Sequence, residues 1–276
     1  MHIPRHDNGN VPIVGAEDDT VPLNYFNILR LGAGESFTYD VAGYETCIVP
    51  ATGTVDVEVG EFSAEALGGR GADVWDGEPE GVYVPSGARA RIVARGEVEV
   101  FVAGARYDEA LRPFAVRADE LDLVQYGSDD TKTHRKIKHI LGQKQADRVG
   151  RLLVSELFTV GAGGWSGFPP HKHDTDREGE TRHDETYNFR FRPDHGAGIQ
   201  LLEKEEGAEA YLLKDGDTVC IDAGYHPCVA MPGYEMYYFT ILGGLSQRPL
   251  VQYFQPEHAY QVETIPGLKD MIAKFK

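Results

Sequence analysis

The sequence predicts an all-β protein built of two tandem jelly-roll barrels (double-stranded β-helices), on three observations. Short apolar runs broken by turn residues recur from about residue 23, at the spacing of roughly 8–12 residues that marks sandwiches and barrels. Glycine is frequent, with 32 residues, while helical periodicity is scarce. Beyond an irregular polar stretch at 105–113 the same style starts again. We therefore expect an N-terminal barrel over residues 1–117 and a C-terminal barrel over 118–276.

In the first half, residues 25–31, 47–51 and 54–60 read as strands, with Thr52-Gly53 as a turn between the last two. The run Thr-Val-Asp-Val-Glu-Val at 54–59 alternates strictly, as a strand with one buried face does. Residues 81–87, 90–94 and 98–103 continue the series. In the second half the expected strands cover 134–141, 152–160, 185–191, 198–202, 210–213, 218–221, 228–231 and 236–242. A single short helix is expected at 268–275.

Composition removes several classes of function. Hydrophobic residues make up 41% of the 276 residues, enough for a packed core and too many for a disordered chain. The formal net charge of −17 speaks against nucleic acid or an anionic membrane as partner, since both require clustered Lys and Arg. No run approaches the roughly 20 apolar residues of a membrane helix, and the first residues lack the apolar segment of a secretion signal. Cys47, Cys220 and Cys228 form no CxxC pair and read as small buried hydrophobes of a reducing compartment. The cytoplasm is the expected location.

One stretch carries chemistry. In Pro169-Pro170-His171-Lys172-His173-Asp174 two histidines sit one residue apart, so on an extended segment both rings face one side and Lys172 the other. Glu185 opens an alternating run, and His226 stands in Gly224-Tyr225-His226-Pro227. Three imidazoles and a carboxylate suit one divalent ion, Zn or Mn first and Fe after them. Eleven residues separate His173 from Glu185. This polar insert forms an expected loop at the barrel mouth and offers rival ligands in Glu178, Glu180 and His183. Glu185 is preferred because it alone leads into a strand able to carry it inward. His134, His139, His183, His195 and His258 read as structural or exposed.

Alternation nominates neighbours. With Glu185 inward, Tyr187, Phe189 and Phe191 follow it, while Arg190 and Arg192 face out; Arg190 then reads as a solvated charge. On the strand at 236–242 either Tyr238 and Thr240, or Tyr237 and Phe239, line the pocket. Tyr187 and Tyr238 are the candidate catalytic residues. A metal of this kind binds a carbonyl and its neighbouring hydroxyl and acidifies the C–H between them, which fits isomerisation of a sugar acid. The two halves also echo each other faintly: Glu45 matches Glu185, and Arg89 stands near the place of His226, with no first-half histidine at the matching places.

Taken together, Gly164-Trp-Ser-Gly-Phe-Pro-Pro-His-Lys-His-Asp174, Asp184-Glu-Thr-Tyr-Asn-Phe-Arg-Phe191, Gly224-Tyr-His-Pro227 and Pro232-Gly-Tyr-Glu-Met-Tyr-Tyr238 resemble the 5-deoxy-glucuronate isomerase family of bacterial myo-inositol catabolism. The 5-keto-4-deoxyuronate isomerases share its superfamily. The resemblance implies a cytoplasmic bicupin whose second barrel binds a metal through His171, His173, Glu185 and His226. It implies conversion of 5-deoxy-D-glucuronate to 2-deoxy-5-keto-D-gluconate, a small sugar acid being the partner, and leaves room for a homo-oligomer. Phe189, Thr240 and Gly167 depart from the family pattern of His, Asn and Ser. The alternatives are isomerisation of another uronate, a metal-dependent dioxygenase, and a sugar-binding cupin without catalysis.

Overall fold

Strands dominate the computed structural model, which describes residues 1–274: 49% of the chain is strand and 6% helix. The helix expected at 268–275 is found as Leu268–Lys274, and Phe275 lies outside the described residues. In the first half the sheet order is Asn24–Leu31, Val98–Arg106, Tyr44–Val59, Gly81–Val84, Phe114–Val116. In the second half a seven-stranded sheet runs His2–Ile3, Thr218–Ile221, His183–Arg192, Glu235–Gly244, Leu152–Thr159, Arg135–Leu141, Asp122–Tyr126. A four-stranded sheet, Trp165–Ser166, Cys228–Ala230, Ala197–Lys204, Gly207–Lys214, completes that half. His2 pairs with Val219 and Tyr83 with Phe114, so the first residues of the chain lie on the second half's sheet.

The turn expected at 52–53 is a bulge. Tyr44–Val59 is one bent strand of 16 residues. Its start pairs with Val98–Arg106 and its end with Phe62–Arg70 and Ala90–Ala94. Register shifts at Gly53, whose φ is +70° and where a Cβ would come within 2.6 Å of Glu97 O. Only glycine accepts that conformation cheaply, so the chain bends between sheets without leaving them. Strands such as Ser36–Tyr39 and Phe62–Arg70 carry little apolar pattern and are held by pairing.

The described residues form three apolar cores. One fills the first barrel and includes Leu29, Ile48, Val57, Leu67, Ile92 and Val100. Another fills the second and includes Tyr187, Phe189, Phe191, Leu213 and Tyr238. The third lies between the halves, where Phe101 and Phe239 approach to 4.7 Å between ring centroids. His183–Arg192 and Glu235–Gly244 are therefore buried on both faces, as sandwiched strands are.

Polar groups at the junction are paired across it. Arg70 bonds Glu156 at 2.6 Å with both side chains buried, and Tyr237 Oη donates to the same carboxylate at 2.9 Å. Arg190 is not a solvated charge; it pairs with Glu99 at 2.6 Å over the Phe101 ring. Glu45 faces this junction too. It accepts the Tyr83 hydroxyl and the backbone N–H groups of Gly150 and Leu152, the latter two at 2.9 and 2.7 Å. The match of Glu45 to Glu185 suggested by sequence is thus not a spatial one, because the two point to opposite sides of their sheets.

Candidate metal centre and cavity

His171 begins a two-residue strand paired with Tyr253–Phe254, while Glu185 sits on His183–Arg192 and His226 in the turn before Cys228–Ala230. These elements bring the three imidazoles together, with one ring nitrogen of each within 4.8 Å of the others. Ring centroids lie 4.9 Å apart for His173–His226 and 5.1 Å for His171–His226. Gly224 shapes the turn: its φ is +91°, a Cβ there would come within 2.6 Å of Glu203 O, and its N–H donates to Asp174 at 3.0 Å.

Backbone carbonyls orient all three rings. Nδ1 of His171, His173 and His226 donates to Pro169 O (3.3 Å), His183 O (3.0 Å) and Gly224 O (2.7 Å) respectively. That aims the Nε2 atoms at a common centre and sets their tautomer, as partners of metal-ligating histidines do. Glu185 Oε2 stands 3.1 Å from both His173 Nε2 and His226 Nε2. His226 carries its proton on Nδ1, so its buried Nε2 makes no hydrogen bond. Two acceptors, that nitrogen and the carboxylate oxygen, therefore face each other at 3.1 Å. Such a contact calls for a cation between them, and three imidazoles with one carboxylate fit a divalent transition ion.

The electrostatics are those of buried, mutually dependent groups. Burial pushes the Glu185 carboxyl up, but the neighbouring His173 and His226 imidazoles outweigh it and hold it well below the usual range. Burial lowers His173, yet Glu185 more than compensates and raises it. His171, further from the carboxylate, stays well below its ordinary value through burial and its two neighbouring rings.

The rival carboxylates are engaged elsewhere. Glu178 is exposed, and Glu180 accepts the Asp174 N–H at 2.9 Å and pairs with Arg177. The ring of His183 bonds Arg248 O at 3.1 Å. Lys172 points away from the centre to Asp174 at 2.9 Å.

A cavity of about 300 Å3 opens beside the cluster, with His171, Glu185, Tyr187, Tyr238 and Thr240 in its wall. Of the two faces of Glu235–Gly244, the one bearing Tyr238 and Thr240 looks into it, while Tyr237 and Phe239 belong to the junction core. Tyr187 follows Glu185 on the same face of its strand in the cavity wall, and its ring lies 4.5 Å from that of Tyr238. Phe189 is fully buried against Tyr238 at 5.4 Å and is absent from the cavity wall.

Several wall residues escaped the sequence reading, among them Gln252, which donates to His171 Nε2 at 2.8 Å. Thr240, one of the two alternatives for its strand, does face the cavity, with its Oγ1 buried and without a partner, and His139, read as structural or exposed, is in the wall and bonds Ser155 at 2.7 Å. Arg135 and Arg248 also line the space. None lies in a motif. The usable signal is strand alternation: Glu185 opposes Leu242, and Tyr187 opposes Thr240, which opposes Ser155, which opposes His139.

Two jelly-roll barrels, one carrying a buried three-histidine cluster, define the chain as a bicupin. It belongs to the KduI/IolB family, whose model matches residues 2–261. It is 30% identical over 269 residues to the 5-deoxy-glucuronate isomerase of Geobacillus kaustophilus, covering 95% of each chain. Among solved structures it resembles an IolB-like protein from Salmonella typhimurium LT2, with TM-score 0.80, 28% identity, and 86% and 89% of the two chains covered. The oxalate decarboxylase of Lactobacillus farciminis shares the fold at TM-score 0.65 and 9% identity, with 96% and 90% covered. By its family the chain is an isomerase.

Proposed function

We propose that the protein is a metal-dependent aldose–ketose isomerase that converts 5-deoxy-D-glucuronate to 2-deoxy-5-keto-D-gluconate in myo-inositol catabolism. The reading rests first on the facing acceptors His226 Nε2 and Glu185 Oε2, 3.1 Å apart in a cluster that opens on a cavity. The curated relatives bear the name of that isomerase. His171, His173, Glu185 and His226 would hold one divalent ion, Zn or Mn, which supplies a Lewis acid and a template for a carbonyl and the hydroxyl beside it. We assign this site to a barrel over residues 118–276 and a buttressing role to the barrel over 1–117.

The chain's own groups do the rest. Aldose–ketose exchange moves a proton between neighbouring carbons and requires proton donors to the oxygens they bear. Tyr187 and Tyr238 remain protonated at neutral pH, because burial, then the Glu185 charge for Tyr187, raises both well above the ordinary value. They serve as hydrogen-bond donors to substrate oxygens, not as bases. Leu268, Met271 and Ile272 of the C-terminal helix give the cavity an apolar stretch of wall. The three cysteines are free and buried, in keeping with a reducing cytoplasm.

The test is incubation of the metal-analysed protein with 5-deoxy-D-glucuronate in D2O, followed by NMR. We expect the keto acid to appear. Binding without conversion by protein that carries its metal would overturn the assignment.

A further inference from the structure

Among the described residues the buried cations are Arg70, Arg135, Lys138 and Arg248, and three of them are paired with a carboxylate or held by several backbone carbonyls. Arg70 has Glu156 at 2.6 Å and Lys138 has Glu78 at 3.1 Å. Arg248 donates to three backbone carbonyls, those of Leu141, Gly142 and Leu152, at 2.8 to 2.9 Å. Arg135 differs. It is 5% exposed, its Nη2 donates to the Tyr238 hydroxyl at 3.3 Å, and its Nε has no partner. The groups acting on it are the hydroxyls of Tyr126, Tyr238 and Tyr187 and the Cys228 thiol. Its guanidinium stands 5.4 Å over the Tyr126 ring and lines the cavity.

A buried charge left without a counter-ion is costly unless something else pairs with it. Here the guanidinium faces the space that holds the histidine cluster, with two aromatic rings between: Tyr187 follows Glu185 along the same strand face, Tyr238 packs on Tyr187 at 4.5 Å, and Arg135 bonds Tyr238. Ile137, Leu157, Leu268 and Met271 line the same cavity, and an apolar wall strengthens an ion pair formed there. The chain as a whole carries −17 and repels acids at long range, so an acid held here requires a local cation.

From these observations we infer that Arg135 is the anchor for a carboxylate, and that the cavity binds a sugar acid with its carboxylate on Arg135 and its opposite end at the histidine cluster. The inference deepens the isomerase reading and rests on it for the identity of the ligand. Arg135 then selects for acids over neutral sugars, since its planar N–H fork matches a carboxylate in a way no hydroxyl does. Tyr238 positions the fork.

The experiment compares binding of D-gluconate and of its uncharged counterpart D-glucitol to the metal-loaded full chain by calorimetry. Neither contains the reacting carbonyl. We expect wild type to prefer gluconate by about 10- to 100-fold, the range of charge-assisted hydrogen bonds. Arg135→Gln abolishes the preference with metal content unchanged, and Arg135→Lys keeps part of it. Undiminished preference in Arg135→Gln overturns the inference. Should that variant not fold, the Arg135 Nε–H resonance of wild type decides: it shifts with gluconate and not with glucitol, and absence of the shift overturns the anchor. A protein that shows the Arg135-dependent preference yet converts no 5-deoxy-D-glucuronate keeps the anchor and loses the isomerase reading. Turnover with KM unchanged in Arg135→Gln does the reverse.

Discussion

In the first barrel the strand Tyr44–Val59 turns Tyr44, Ile48, Val55 and Val57 inward, and they meet Leu29, Leu67, Ile92 and Val100 in an apolar core. The corresponding strand of the second barrel, His183–Arg192, turns Glu185, Tyr187, Phe189 and Phe191 inward. Each is flanked in its sheet by equivalent neighbours: Val98–Arg106 and Gly81–Val84 in one, Glu235–Gly244 and Thr218–Ile221 in the other. The same scaffold is filled in one copy and opened in the other. The filled copy gains apolar burial. The opened copy gives up some packing for a cavity and buries groups that need partners: a carboxylate, imidazoles and an unpaired guanidinium. The junction joins them through a third core and through polar pairs, so the opened barrel leans on the filled one.

The sharpest way to break this comparison is His173→Ala. Turnover and bound metal should fall to background while circular dichroism stays that of a folded β protein, because the first barrel's core contains none of the cluster. Retained metal and full activity would remove the second barrel's distinction.

Next in size comes the junction. Glu156→Leu strands the Arg70 guanidinium, whose side chain is 1% exposed. Breaking one side of such a pair costs about 3–5 kcal/mol, which urea unfolding will read. A loss below about 1 kcal/mol would show that the halves do not depend on this pair.

Ile92→Ala creates a cavity in the filled barrel, where Ile92 is fully buried. It should cost about 2–5 kcal/mol and leave KM and metal content untouched. A changed KM would mean that the first core reaches the site.

The smallest effect is a pH slope. Burial depresses His139, in the cavity wall, to about 4. The unfolded chain binds that proton near pH 6.5, so the stabilisation is present above about 6.5 and is lost as pH falls toward 4. Metal-free wild type should lose about 2 kcal/mol by pH 5 relative to its His139→Gln variant. Equal slopes for the two proteins would refute the assignment.

The sequence by itself determined the strands with strong alternation or dense β-branched runs, and the spacing of His171, His173, Glu185 and His226. Period and spacing are local properties, and a His-x-His pair on an extended segment points one way whatever surrounds it. It did not determine which face of a doubly buried strand meets which core. Glu235–Gly244 is apolar on both sides, so only packing chose Tyr238 and Thr240 for the cavity and Tyr237 and Phe239 for the junction. Glu45, Arg190 and Arg135 were misread or passed over for the same reason. A charged side chain in a strand shows its residue type to the sequence, but its role depends on what the far half of the chain places opposite it: three backbone N–H groups for Glu45, Glu99 for Arg190, and an open cavity for Arg135.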